Sequence, residues 1–193
     1  MKRWMFLVPL LALLVACSGD DGVERSYWDN GELKSELRYK DGKLNGECLW
    51  YTEEGKLEKQ CWYKDGLLDS IYRSYSAKGN LASEEHYVKG KLNGEFRKWY
   101  DNGQVFQEGR YVDDMMDGQW FIFYPSGALA AKADYDKGKG KQTCYEESGY
   151  KCLEVHYLDN LKHGKETYFN PDGAITKIVD YERGKVVFED NDP

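Results

Sequence analysis

The chain has 193 residues, which is the length of one domain or one array of repeats preceded by a leader. Aromatic residues make up 15% of it, which argues against a disordered chain, and 20 glycines with only 4 prolines favour short strands joined by tight turns. The formal net charge is −7 and no basic cluster is present, so a surface that follows nucleic-acid phosphates is not expected.

The first seventeen residues have the pattern of an export signal. Lys2 and Arg3 precede an uncharged run over residues 4–16, which is too short to span a bilayer comfortably and fits the apolar region of a signal peptide. The run ends in Leu14-Val15-Ala16-Cys17, which resembles the lipobox of bacterial lipoproteins. This resemblance implies removal of residues 1–16 and acylation of Cys17, which would attach the protein to a membrane. An ordinary secretory signal that ends in cysteine is the alternative.

The residues that follow Cys17 bear on location. Ser18 stands where an aspartate would mark inner-membrane retention in enterobacterial lipoproteins, so the resemblance favours the outer membrane. The run through Asp20 and Asp21 also resembles the acidic export signals of some Bacteroidota surface lipoproteins. We therefore expect a lipid-anchored protein of the cell envelope, at the outer membrane or exposed on the cell surface, with residues 17–25 as an acidic tether.

A 24-residue repeat organises the remaining chain. A glycine recurs at intervals of 24, 24, 24, 24, 22 and 24 residues, a tyrosine follows each one by eight residues, and a turn residue follows three further on. The tyrosines are Tyr39, Tyr63, Tyr87, Tyr111, Tyr135, Tyr157 and Tyr181. A fourth recurring position holds Gly46, Ser70, Gly94, Gly118, Gln142 and Gly164.

Each repeat predicts one β-hairpin. The segment from Leu33 to Tyr39 alternates with period two, as a half-buried strand does, and Asp41-Gly42 is a strong hairpin turn signal. A second strand from Leu44 to Tyr51 leads into another tight turn. We predict an all-β fold over residues 26–188, an elongated single-layer antiparallel meander of about seven hairpins and about fourteen strands, followed by an acidic tail at 189–193.

The repeat resembles the MORN-type variant repeat found in bacterial proteins of the YwqK-type antitoxin-like family. Residues 95–111 and 118–129 carry the clearest likeness. The resemblance implies an elongated sheet used for protein or membrane contacts. An exported protein is badly placed to neutralise a cytoplasmic toxin, so an antitoxin or immunity role is the less favoured interpretation.

The fifth and sixth repeats depart from the pattern. Lys151 and Lys162 stand at the two positions where leucine is usual, and the two-residue deletion is expected between Gln142 and Gly149. We expect a kink or a contact surface in this region.

Four cysteines remain beside Cys17, and an even number in an exported chain favours disulfides. The meander places Cys48 nearly opposite Cys61, and Cys144 nearly opposite Cys152. We therefore predict the two bridges Cys48–Cys61 and Cys144–Cys152, with free buried thiols as the alternative.

No pattern of catalytic or metal-binding residues is found. The three histidines, His86, His156 and His163, lack the spacing of a metal site, and no nucleophile or phosphate-binding motif is present. A column of glutamates is better explained by cross-strand pairing with lysine and arginine than by acid–base catalysis; it comprises Glu36, Glu84, Glu108 and Glu154. We expect neither enzymatic activity nor a metal or other cofactor.

The second strands of the hairpins are rich in aromatic residues. Many should pack against one another, but one sheet cannot bury both of its faces, so some rings should stay accessible. The candidate binding surface consists of Trp50, Tyr72, Phe96, Trp99, Trp120 and Phe123, with Met115 and Met116 as a protruding contact point. We expect a non-catalytic scaffold that binds a protein partner and the membrane through its lipid, and does not bind nucleic acid. A glycan of the cell envelope is the alternative partner.

Overall fold

The computed structural model describes residues 21–191, so the predicted signal peptide and Cys17 lie outside the described residues. These described residues form one open antiparallel sheet, in which neighbouring strands are successive in the chain, and contain no helix. The strands are β1 Gly22–Tyr27, β2 Leu33–Lys40, β3 Lys43–Leu44, β4 Gly46–Tyr51, β5 Leu57–Lys64, β6 Leu67–Tyr75, β7 Leu81–Val88, β8 Lys91–Trp99, β9 Val105–Val112, β10 Met115–Phe123, β11 Leu129–Asp136, β12 Lys139–Tyr145, β13 Lys151–Leu158, β14 Leu161–Phe169, β15 Ile175–Glu182 and β16 Lys185–Asp190.

This arrangement confirms the predicted all-β single-layer antiparallel meander of hairpins. β3 and β4 are the two parts of one interrupted second strand, and both pair with β2. The sheet also has a strand before the first repeat, because β1 pairs with β2 from Gly22 to Tyr27. Residues 22–25, which we assigned to the tether, therefore lie in the sheet, as do Glu189 and Asp190 of the expected tail.

The predicted two-residue turns close all seven hairpins. Both central residues of each turn have a positive φ, which is the type I′ geometry that matches the right-handed twist of paired strands. Asp114 and Asn160, which replace glycine, adopt φ of 69° and 62°, as expected for residues that tolerate a left-handed backbone. The seven pairs are Asp41-Gly42, Asp65-Gly66, Lys89-Gly90, Asp113-Asp114, Lys137-Gly138, Asp159-Asn160 and Arg183-Gly184.

The fourth recurring position marks a bulge in the second strand of every hairpin from the first to the sixth except the fifth. Gly46, for example, has φ of 99° and lies opposite Tyr63, the repeat tyrosine of the next strand. Ser70 adopts φ of 95° opposite Tyr87 in the same role. A small side chain or none suits this position, because a Cβ added at Gly46 would lie 3.4 Å from the Arg38 side chain and one added at Gly94 would lie 2.9 Å from that of His86.

The fifth repeat lacks this bulge, which corrects the expected position of the deletion. β11 and β12 pair without any register shift, and Gly140 rather than Gln142 lies opposite Tyr157. The two missing residues are therefore those of the bulge, N-terminal to Gln142 and not between Gln142 and Gly149. The repeat spacing placed Gln142 at the fourth recurring position, opposite the tyrosine of the next strand. In the structure Gln142 pairs with Val155.

All the buried residues lie on one face of the sheet, here called the core face. Trp120 is 3% exposed and its indole ring covers Gly109, where an added Cβ would lie 2.2 Å from a ring carbon. Phe96 and Tyr111 pack edge-on or tilted against the same ring, with centroid distances of 5.5 and 4.9 Å. Large aromatic rings thus pack over small residues of the neighbouring strands, and in this way a sheet of one layer buries side chains on one of its faces. The buried residues are Ser35, Cys48, Cys61, Ser83, Phe96, Trp120, Ala131, Ala133, Tyr135, Val155, Glu166 and Val179.

Candidate functional site

The opposite face of the sheet, here called the outer face, has a ladder of charged pairs along its middle. The Glu36 carboxylate lies 2.7 Å from the Arg25 guanidinium. The same contact recurs as Arg73–Glu84 at 2.7 Å, Arg97–Glu108 at 2.9 Å and Lys141–Glu154 at 3.0 Å. This confirms that the glutamate column pairs across strands. Each carboxylate is held by a cation on an open surface.

An aromatic residue ends the second strand of each of the first six repeats, and another ends β1. Each lies opposite the leucine position that begins the following strand, as Tyr51 does opposite Leu57 and Phe123 opposite Leu129. Successive members are two strands apart, which is about 10 Å along the sheet. We call this set the aromatic column; it consists of Tyr27, Tyr51, Tyr75, Trp99, Phe123, Tyr145 and Phe169.

Side-chain contacts place the aromatic column on the outer face, next to the charged ladder. The Arg97 guanidinium lies 6.0 Å from the Trp99 ring centroid, and the Lys132 ammonium lies 5.8 Å from that of Tyr145. Phe121 stacks on Phe123 with centroids 6.3 Å apart.

Two tyrosines of the column make polar contacts with the same face. The Tyr75 hydroxyl donates to Gln60 Oε1 at 3.4 Å. Burial and the carboxylates of Glu36 and Glu47 raise the pKa of Tyr51. Six members of the column are half-buried and Tyr27 is exposed, so each ring keeps part of its surface accessible.

The aromatic column is visible in the sequence as a regular spacing, although we did not predict the column from it. The spacings of its members are 24, 24, 24, 24, 22 and 24 residues, identical to those of the glycines and tyrosines. The signal is weakened because Tyr, Trp and Phe alternate at the position, and because neighbouring aromatic residues of the second strand obscure it.

The residues of the predicted binding surface do not lie together in the structure, but on both faces of the sheet. Trp99 and Phe123 belong to the aromatic column. Phe96 and Trp120 do not belong to any accessible surface, because they are 7% and 3% exposed in the core. Their inclusion is corrected: Phe96 and Trp120 stand three residues before Trp99 and Phe123 on the same strands, so the alternation of side chains puts them on the opposite face.

Trp50 and Tyr72 lie on the core face and are half-buried. The Lys59 ammonium lies 5.1 Å from the Trp50 ring centroid, and Tyr72 packs edge-on against Tyr87 at 6.3 Å. Both rings therefore contribute to packing between neighbouring strands on this face.

The turn before Met115 and Met116 is held down by neighbouring turns and does not protrude. The Asn160 side chain donates to the Asp114 carbonyl oxygen at 2.9 Å and accepts from the Met116 N–H at 3.0 Å. Met116 packs against the core cluster, and both methionines are half-buried. The expected contact point is corrected, because Asn160 joins this turn to one two hairpins away.

The two lysines of the sixth repeat replace leucine without leaving an unpaired charge. Lys162 lies 2.7 Å from Glu166, a carboxylate that is buried on the core face. Lys151 lies 3.7 Å from the centroid of Phe169 in the aromatic column and 3.7 Å from Glu154. No special contact surface is needed to explain these departures.

The four described cysteines are free thiols in the structure. Cys48 and Cys61 are fully buried and directly opposite on β4 and β5, as the hairpin arithmetic predicts. Cys144 lies opposite Leu153, and Cys152 falls in the register shift that follows, so the second pair is offset by one residue. Both predicted bridges stay predictions, and the geometry favours the first.

An open groove of about 720 Å³ lies between β12, β13 and β14 on the outer face and contains His156 and His163. His156 Nδ1 lies 2.9 Å from the carbonyl oxygen of Lys165. Its cations have acidic neighbours, since Lys141 pairs with Glu154 and Lys165 lies opposite Asp180. The groove thus has little net positive charge, and we assign no anion site to it.

The repeat tyrosines are neutral packing groups. Burial raises the pKa of Tyr63 to about 12, and burial also raises the pKa of Tyr111 and Tyr157. Their hydroxyls therefore stay protonated near neutral pH. Across residues 21–191, no group of three or more His, Cys, Asp or Glu side chains is arranged to hold a metal ion. That same part of the chain has no helix long and apolar enough to cross a membrane.

The sequence matches the family model described as MORN repeat variant in five segments, residues 20–41, 44–65, 68–89, 92–113 and 116–137. These segments cover more than half of the chain. Four of them begin at the second strand of one hairpin and end in the type I′ turn of the next. The matches end at residue 137, in the turn just before β12, the second strand that lacks the bulge. No curated protein matches this chain.

Proposed function

The chain belongs to the MORN repeat variant family, and from this premise we propose that it is a non-catalytic interaction scaffold anchored to the cell envelope by a lipid on Cys17. The lipobox-like run that ends at Cys17 supports the anchoring. The repeat sheet would then present a fixed surface to a protein partner, at the outer membrane or on the cell surface.

The observation that carries this proposal is the aromatic column. A ring whose only role was packing would lie on the core face with Phe96 and Trp120. The column lies on the other face, over which no second layer of residues 21–191 packs. Rows of half-exposed aromatic side chains bordered by charged groups are typical of protein interfaces, in which Trp, Tyr and Arg are enriched.

The charged ladder beside the column supports a protein partner. Arginine and glutamate alternate along it, so it has no single sign that would favour a polyanion or a polycation. Alternating charges of this kind specify orientation and register for a partner with complementary charges. The aromatic column would supply affinity, and the ladder would supply specificity.

The test is chemical crosslinking in intact cells, followed by mass spectrometry of the captured species. We expect one protein to be captured repeatedly by the native chain and lost with Cys17→Ser, which removes the anchor. The double variant Trp99→Ala/Phe123→Ala should reduce capture at least about tenfold, because aromatic anchors of an interface contribute about 2 kcal/mol or more each. Trp50→Ala, on the core face, is the matched control and should capture normally.

A glycan is the second candidate partner, favoured by the spacing of the column. Rings about 10 Å apart along the sheet match the length of one disaccharide in an extended β-linked glycan, and sugars stack on aromatic rings. Capture of glycan fragments alone, with quenching of Trp99 fluorescence by envelope glycans, would replace the protein-scaffold proposal with this one. Capture that survives Trp99→Ala/Phe123→Ala would exclude the aromatic column as the binding surface.

A further inference from the structure

The last strand of the sheet exposes three consecutive apolar side chains. Val186, Val187 and Phe188 of β16 are 54%, 61% and 54% exposed. Within the described residues β16 pairs only with β15, so its outer edge offers backbone N–H and C=O groups to another strand.

This apolar run departs from the repeat. Gly184-Lys185-Val186-Val187-Phe188 aligns with Gly42-Lys43-Leu44-Asn45-Gly46 of the first repeat. Phe188 thus replaces the bulge residue, which is a glycine or serine in most other repeats, and Val187 replaces the polar Asn45. Edge strands that face water usually carry polar or charged side chains. β16 carries apolar side chains instead, which is the opposite of what a solvent-exposed edge requires.

We propose that β16 is a self-association edge, which pairs antiparallel with β16 of a second copy of this chain to form a closed two-fold dimer. The charges of the strand are self-complementary. Lys185 begins it, and Glu189 and Asp190 end it, so antiparallel self-pairing centred on Val187 places each Lys185 opposite Glu189 of the other copy and beside Asp190. The apolar residues between them then cover one another.

The charges also oppose the head-to-tail alternative, in which β16 would pair with β1 of the next copy. Fourteen antiparallel steps separate β1 from β16, so the two strands run in the same direction and a sheet continued with its core face on the same side would have to pair them parallel. Antiparallel pairing with Gly22–Tyr27 would turn the core face of the next copy over and would bring Glu189 and Asp190 next to Asp21. Like charges facing each other across strands are destabilising. A head-to-tail contact would also leave a new edge on each added copy and extend into a filament, whereas self-pairing closes after two copies.

The test uses the full chain in mild detergent, as a mixture of unlabelled and ¹⁵N-labelled protein treated with a zero-length reagent that joins lysine to carboxylates. We expect mixed-isotope peptides that join Lys185 to Glu189 or Asp190. Val187→Lys should reduce them at least about tenfold, because it puts a charge at the centre of the paired strands. Val88→Lys, at an exposed apolar position of β7, is the matched control and should leave them unchanged.

Charge reversal keeps the proposal testable if Val187→Lys perturbs the strand. Lys185→Glu alone, and Glu189→Lys/Asp190→Lys alone, should each lose the dimer, whereas a mixture of the two chains should recover it. Light scattering gives the mass of each sample. A single-chain mass in the native protein, a dimer that Val187→Lys does not change, or crosslinks from β16 to the Asp21 region would overturn the proposal.

Discussion

Glu166 lies at the centre of the core face, between Val155 and Val179 on the neighbouring strands, with 2% of its surface exposed. A carboxylate in such a place is costly unless a charge and hydrogen bonds compensate for it. Lys162, four residues before it, supplies the ammonium at 2.7 Å. The lysine that interrupts the leucine column is therefore part of a pair, and Glu166 is the reason for its presence.

Lys162→Met should destabilise the protein by about 3 kcal/mol, because it leaves a buried carboxylate without its partner. Urea unfolding followed by far-UV circular dichroism measures this loss. The double variant Lys162→Met/Glu166→Leu should recover most of the stability, and Lys165→Met, at an exposed position, should change little. A Lys162→Met variant as stable as the native chain would show that the pair is not stabilising.

The pH dependence of this pair follows from the pKa of Lys162. Burial alone lowers the pKa of Lys162, but the hydrogen bond and the charge of Glu166 outweigh burial and raise the pKa above 10.5. The contribution of Lys162 is therefore complete below the unfolded pKa of 10.5 and is lost as the pH rises through the folded pKa. The stability difference from Lys162→Met should stay constant from neutral pH upward and shrink only above this value.

The pairing of adjacent strands determines which cysteines lie close enough to form a disulfide. Directly opposite residues on antiparallel strands have Cα atoms about 4.5–5.5 Å apart, within the range that a disulfide spans. Cys48 and Cys61 occupy such positions on β4 and β5, whereas the register shift beside Cys152 moves it away from Cys144. The two pairs looked equivalent in the sequence because the shift is a property of the paired strands.

We predict that oxidation to equilibrium in a thiol–disulfide buffer joins Cys48 to Cys61 at a lower oxidant concentration than Cys144 to Cys152, as shown by peptide mapping, because only the first pair is directly opposite. Burial raises the pKa of the Cys61 thiol to about 11, so little thiolate is present at neutral pH and the bridge should form slowly there. Since the thiolate is the reacting species, the rate should rise about tenfold for each pH unit up to about pH 10. Cys48→Ser should abolish the product, and a Cys144–Cys152 bridge that forms at the lower oxidant concentration would contradict the prediction.

The whole molecule is an array in which each strand contacts its neighbours in sequence. In such arrays stability is approximately a sum over repeats and the interfaces between them. Removal of residues 68–91 deletes one full period and joins Leu67 to Leu92, which occupies the position of Leu68 in the following repeat. The register of every remaining strand is therefore preserved.

The chain without residues 68–91 should still fold. The slope of its unfolding free energy against urea concentration should fall by about one seventh, because one of seven repeats no longer adds to the surface exposed on unfolding. Removal of residues 68–79, half a period, is the control and should disrupt the sheet, since the strands and turns no longer alternate correctly. Equal loss of β signal in circular dichroism for both deletions would refute an additive array.

The sequence by itself determined the strands, the turns and their order. Asp41-Gly42 and the equivalent pairs require a positive φ, and Leu33 to Tyr39 alternates as a strand does; both are local properties that neighbouring residues specify. The cross-strand pairing of Glu36 with a cation was also predictable, because it needs only the strand order and the alternation.

Only the tertiary structure decided which of the two faces of the sheet buries its aromatic side chains. Trp99 and Trp120 are both tryptophans of second strands, yet one lies on the outer face and the other covers Gly109 in the core. The bulges add two residues and keep the alternation of faces, but they change which residues pair, and the absent bulge at Gly140 shifts the partners of the fifth repeat by two residues. A face is fixed by the register between strands, and register depends on pairs of residues far apart in the sequence.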